Sequence, residues 1–197
     1  MNGARQTWTM EAPDNASDSL RIHRIGDKLV YIVSEGGSLT INVFRLGDGT
    51  PEQLWQDTVK PAARNVTIWN NQVVVGNTVL NVDTHERTTA PWSADSEIWG
   101  AVDGLSVCTG TTCQVWTSLT EKKWETTIPV PKQAHLSLRE KRGGYALAGG
   151  SGRSDPHFAV NTETGEAKLL DGSAAYMASV TYLADGWLIY DNGQVTI

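Results

Sequence analysis

The sequence predicts an all-β fold, a β-propeller of four-stranded antiparallel blades, five in number. Three observations carry that prediction. Val, Ile, Thr, Trp and Tyr occur in short alternating runs cut by Gly, Asn and Asp, with almost no helical periodicity. One layout, a short strand, a polar turn and a second apolar strand, recurs five times. The second strands begin at Leu29, Val73, Leu105, Tyr145 and Trp187, a spacing near 40 residues that matches a propeller blade.

The elements follow in order. The inner strands are read at Leu20 to Ile25, Val66 to Trp69, Ile98 to Val102, Leu136 to Glu140 and Ala178 to Leu183. Each leads through a turn such as Gly26-Asp27, Asn70-Asn71 or Asp185-Gly186 into the second strand. Third strands are read at Leu39 to Arg45, Thr78 to Val82, Gln114 to Thr117, His157 to Asn161 and Gln194 to Ile197. Fourth strands, several carrying Trp, are read at Gln53 to Trp55, Thr89 to Trp92, Lys123 to Thr126 and Ala167 to Leu170. The whole chain, 1–197, is thus one propeller domain with blades near 20–56, 64–92, 97–129, 135–171 and 176–197. The fifth unit lacks a fourth strand, and residues 5–11, with Gln6-Thr7-Trp8-Thr9-Met10 at their centre, supply it. Such closure would remove an open sheet edge. The competing reading is a piece of a ring of six to eight blades.

Composition bounds the function. The chain has 197 residues, 40% hydrophobic and 19% charged, enough for a core and unlike a disordered tail. Its net charge of -6 disfavours nucleic acid, whose nonspecific binding rests on a basic surface. No apolar run approaches the roughly 18 residues of a membrane helix, so direct insertion into a bilayer is not expected. No signal-peptide core follows Met1, which leaves a cytoplasmic protein or an exported domain without its leader.

The cysteines favour the second. Cys108 and Cys113 flank Thr109-Gly110-Thr111-Thr112 between β-formers, which reads as a hairpin with the two cysteines facing each other. Facing residues of an antiparallel pair lie at disulfide distance. A bridge across so short a loop brings little entropic stabilisation and mainly fixes the loop. It points to an oxidising, extracytoplasmic compartment. The alternative is a pair of free thiols. With no second ligand pair nearby, a zinc site is not expected. Two sequon matches, Asn15-Ala16-Ser17 and Asn65-Val66-Thr67, carry little weight in a chain this rich in Ser and Thr.

The fourth repeat reads Ala159-Val160-Asn161-Thr162-Glu163-Thr164-Gly165-Glu166-Ala167-Lys168-Leu169. It resembles the tryptophan-docking motif of propellers of the pyrroloquinoline-quinone type: Ala, one residue, Asp or Asn, two residues, Thr-Gly, three residues, Trp. Leu169 stands where that family has Trp. Val115 to Trp124 keeps the Trp but loses the Gly and one residue of spacing. The resemblance implies the fold. Many relatives bind no quinone and act as scaffolds or receptors, and the quinone enzymes are similar to one another in a vicinal cysteine pair and a calcium site. Cys108 and Cys113 are not vicinal, so no quinone and no other cofactor is expected.

Catalytic patterns are sparse. His23, His85, His135 and His157 lie in different repeats without metal-ligand spacing, so no metal is expected. Ser151 in Gly149-Gly150-Ser151-Gly152-Arg153 lacks the strand-to-helix setting of a nucleophile elbow. A glycosidase needs two acids about 5–10 Å apart. The inner strands offer only Glu140 and, just before a strand, Glu97, while Asp27, Asp103 and Asp185 recur as turn formers. The expectation is a non-enzyme: a binding or scaffold domain that takes a protein or peptide through its loop face. The loops joining fourth to first strands and second to third strands share one face. They carry Arg64, Trp92, Glu97, His135, Arg153, Asp155, His157 and Tyr176, with Trp99 close by. Aromatic and Arg side chains are common interface anchors. The alternatives are a lectin-like, carbohydrate-binding propeller with one site per blade, or a small hydrolase. Trp8, Trp55 and Trp124 are read as packing between blades.

Overall fold

The computed structural model describes residues 21–47, 49–60, 66–101, 104–142, 144–150, 155–169, 179–183, 186–191 and 194–196. These residues form an all-β structure of five antiparallel sheets, four with four strands and one with three, and no helix is found among them. The first sheet contains β1 (Arg21–Ile25), β2 (Lys28–Glu35), β3 (Ser38–Arg45) and β4 (Glu52–Val59). The second contains β5 (Val66–Trp69), β6 (Gln72–Val75), β7 (Thr78–Asn81) and β8 (Arg87–Thr89). In the third are β9 (Glu97–Ala101), β10 (Gly104–Thr109), β11 (Thr112–Trp116) and β12 (Lys122–Thr127). The fourth has β13 (Ala134–Arg142), β14 (Tyr145–Gly150), β15 (His157–Asn161) and β16 (Ala167–Leu169), and the fifth has β17 (Ser179–Leu183), β18 (Gly186–Asp191) and β19 (Gln194–Thr196). Every sheet is a meander, with each strand paired to the next in sequence.

The turns follow from the residues that form them. Asn70 and Asn71 both have positive φ, 46° and 61°, and join β5 to β6 as a two-residue hairpin; Asn is among the few residues that accept this conformation. Gly36 and Gly37 do the same between β2 and β3, with φ of 55° and 81°.

Alternation along the strands buries both faces of the middle sheets. Val73 and Val75 of β6 pack with Val30, Ile41 and Val43 of the first sheet, while Val74 between them packs with Leu105 and Trp116 of the third. In β10, Leu105 and Val107 face the second sheet, and Cys108 joins Leu136, Ala148 and Phe158 of the fourth. Consecutive sheets are therefore stacked face to face, the first on the second, the second on the third and the third on the fourth. A two-residue period produces this directly, because each one-residue step carries the side chain to the other face.

Fourth-strand tryptophans fasten neighbouring sheets. Trp55 in β4 donates its indole N–H to the Val82 carbonyl of the second sheet at 3.0 Å, and Trp124 in β12 donates to the Thr162 carbonyl of the fourth at 2.8 Å. The two receiving turns are built alike. Asn81 Oδ1 accepts the amides of Asp83 and Thr84, and Asn161 Oδ1 accepts those of Glu163 and Thr164. The indole then lies on a residue of positive φ, His85 in one turn and Gly165 in the other. Charged pairs sit beside both docks, Lys28 with Asp83 and Lys123 with Glu163. Trp124 is nearly buried, so it packs between sheets as expected; Trp55 is half-buried and does so as well; Trp8 lies outside the described residues.

Candidate functional site

The disulfide stands where the hairpin places it. Cys108 and Cys113 are directly paired across β10 and β11, with Cα atoms 4.1 Å apart and sulfurs bonded at 2.08 Å. Both are fully buried between the third and fourth sheets. The bridge therefore sits inside the packing between sheets as well as closing its loop.

Antiparallel pairing puts the starts of β1, β5, β9 and β13, together with the β2–β3, β6–β7, β10–β11 and β14–β15 connections, at one end of their sheets. A cavity of about 320 Å³ opens there, lined by the first residues of three inner strands: Arg21 and His23 of β1, Val66 and Thr67 of β5, and Ile98 and Trp99 of β9. Arg21 Nη1 donates to the Val66 carbonyl at 2.7 Å, and the Thr67 hydroxyl accepts the Gly100 amide at 3.1 Å. These bonds tie β1 to β5 and β5 to β9. The approach is close enough that a Cβ at Gly100 would lie 2.5 Å from Thr67 Oγ1. The Trp99 indole N–H is buried and has no hydrogen-bond partner among the described residues.

A second cluster lies at the same end of the fourth sheet. His135 of β13 and His157 of β15 both pair with Gly149 of β14. A Cβ on Gly149 would come within 2.4 Å of His157 Nδ1, so only glycine lets the imidazole lie over the strand. Asp155 crosses Gly150 in the same way. Burial pushes the His157 imidazole below its ordinary range, the neighbouring His135 adds to that shift, and Asp155 opposes it. Its Nδ1 is buried without a partner among the described residues. Glu97, at the start of β9 and paired with Cys108, has its carboxyl pushed up by burial.

Of the residues expected on a binding face, Glu97, Trp99, His135, Asp155 and His157 are found at this end. Arg64, Arg153 and Tyr176 lie outside the described residues. Trp92 is a correction. It is only 6% exposed, follows β8 instead of belonging to it, donates its indole N–H to the Gly76 carbonyl at 2.9 Å, and packs 5.4 Å from the Trp116 ring. An indole held this way clamps the β6–β7 turn and is not available to a partner. Gly149 and Gly150 belong to β14, and His157 opens β15, so the connection runs only from 151 to 156. Those two glycines serve close side-chain approach within the sheet. Arg21, His23 and Thr67 were not among the expected residues. Their signal is polar, donor-bearing side chains at the first positions of inner strands.

No family model and no curated protein matches the chain. Solved structures do. A prolyl endopeptidase aligns with a TM-score of 0.54 at 15% identity, over 79% of this chain and 26% of its own. The CNH domain of AfRom2 aligns with a TM-score of 0.52 at 12% identity, over 90% of this chain and 62% of its own. The chain thus spans about a quarter of the first and less than two thirds of the second. At such identities the likeness is one of fold, an all-β architecture of propeller-like domains.

Proposed function

We propose that this chain is a five-bladed β-propeller acting as a non-enzymatic binding domain in an extracytoplasmic compartment, where it recognises a protein or peptide through the face on which its inner strands begin. Three lines support the ring: the five successive sheets, the face-to-face stacking of the first four, and the two tryptophan docks. Completion of the fifth blade by residues 5–11 is part of this proposal, and those residues lie outside the described ones. The paired docks also support kinship with quinoprotein-like repeats. The buried Cys108–Cys113 bridge supports the compartment.

One observation carries the binding reading: the cavity, the His135–His157 pair and Asp155 gather at the same end of the sheets. A single asymmetric partner is favoured over a sugar bound once per blade. In the first three sheets the second and third strands are joined by two residues, while six lie between β14 and β15 in the fourth. A lectin would need like sites in like blades. The test is to probe the purified chain against a peptide array and a glycan array. The expected result is peptide binding weakened by His157→Ala with the melting temperature kept. Binding to glycans alone would replace this reading with the lectin one.

A further inference from the structure

The cavity at the inner-strand starts is built as a receptor for negative charge. Arg21 and His23 alternate along β1, paired with Ile32 and Val30, and both residues line the cavity. Arg21 spends one N–H on the Val66 carbonyl, out of the five that a guanidinium carries. Thr67 accepts the Gly100 amide, which leaves its hydroxyl proton able to donate. The Trp99 indole can only donate, and its N–H is buried with no acceptor among the described residues, a state that folded proteins rarely tolerate. No carboxylate is among the described residues that line it. Val66 and Ile98 supply apolar surface beside these donors, and Trp99 lines the cavity as well. The volume, about 320 Å³, is at the small end for a ligand site.

We propose that this cavity binds a carboxylate group, held by the Arg21 guanidinium, the Trp99 indole N–H and the Thr67 hydroxyl, and presented by a peptide as its free C-terminus or as an acidic side chain. A planar fork of donors on Arg matches a carboxylate's two oxygens. One arginine with an apolar wall suits a monoanion carried on an apolar residue better than a phosphate, which calls for more positive charge. The identity of the carrier rests on the peptide-binding reading above; the chemistry of the cavity does not.

The experiment uses the full chain and three probes: immobilised N-acetylated hexapeptides with free C-termini, the same peptides amidated, and citrate in solution. Expected is binding that requires a carboxylate, falling roughly tenfold or more in Arg21→Gln and several-fold in Trp99→Phe, the loss typical of a charge-assisted hydrogen bond. Preference for free over amidated peptides assigns the group to the C-terminus. Equal binding restricted to peptides containing Asp or Glu assigns it to a side chain. Binding of citrate through Arg21 with no peptide bound supports the cavity and overturns the peptide reading. Peptides bound regardless of any carboxylate, and equally by both variants, overturn the cavity's role while the peptide reading stands. No binding of any probe overturns the proposal. Trp99→Phe keeps an aromatic ring at its position, so it carries the test if Arg21→Gln unfolds with the loss of its bond to Val66.

Discussion

Substituting Gly165 by alanine perturbs one tryptophan dock with little else changed. Gly165 has φ of 77°, and an added Cβ would lie 2.8 Å from Trp124 Cε3 and 2.9 Å from Cδ2. The indole cannot slide away freely, because its N–H is bonded to the Thr162 carbonyl and the ring is buried against the fourth sheet. An L side chain in the left-handed region costs roughly 1–2 kcal/mol. Overpacking a fixed ring adds roughly 1–3 kcal/mol. Gly165→Ala should therefore lose about 2–5 kcal/mol, and at this chain length the melting temperature should fall by roughly 4–20 °C. The corresponding residue of the second sheet behaves differently. His85 already carries a side chain at φ of 60°, stacked 4.5 Å from Trp55 and nearly parallel to it. His85→Gly relieves the backbone and loses the stack, two changes of about 1 kcal/mol each and of opposite sign. Urea titration followed by circular dichroism, checked for an unchanged slope, measures both variants. A Gly165→Ala protein as stable as the parent would refute the docking argument.

Three further outcomes are expected. Intact mass spectrometry of protein made in an oxidising compartment should show it two hydrogens lighter than its sequence, and Cys108→Ala with Cys113→Ala should cost no more than about 2 kcal/mol for so short a closed loop; two alkylatable thiols would remove the support for export. Deleting Met1 to Met10 should bring aggregation or a stability loss well beyond the roughly 1 kcal/mol of an ordinary substitution, whereas a monomer melting like the parent would exclude closure by those residues. For His157, the folded chain holds the imidazole below its ordinary 6.5. The unfolded chain thus takes up the proton first as pH falls, so this contribution is full above 6.5 and is lost as pH drops through 6.5 towards the folded value. Denaturation at neutral and mildly acidic pH should show a smaller difference for His157→Asn than for the parent, and an identical difference would contradict it.

The repeat was legible because turns punctuate it, among them Gly26-Asp27 and Asn70-Asn71, where Gly26, Asn70 and Asn71 have a positive φ that few residues accept. The disulfide was legible because its loop length fixes which residues face each other. The second dock was hidden. Asn81 and Thr84 match Asn161 and Thr164, but His85 stands at the glycine position and conceals the motif. Trp92 looked like a loop aromatic because its hydrogen bond to Gly76 spans 16 residues and has no local signature. The role of Gly149 and Gly150 has no local signature either, since what they accommodate, the His157 and Asp155 side chains, is set by pairing across β14 and β15. The cavity is assembled from three strands whose only shared mark is position. Inner strands read for paired acids pass over Arg21, whose guanidinium is the charged group among the described lining residues.

The central claim is that partners are taken at the inner-strand starts, and the indole N–H signals of ¹⁵N-labelled protein test it most directly. Trp55, Trp92 and Trp124 are bonded to backbone carbonyls, while Trp99 has no such acceptor among the described residues, and Trp99→Phe assigns its resonance. On titration with N-acetylated hexapeptides bearing a free carboxylate, the Trp99 signal should move downfield as its N–H gains an acceptor, with the three docked indoles holding their positions. Saturable binding with the Trp99 signal unmoved would contradict the account and put the interface elsewhere on the chain.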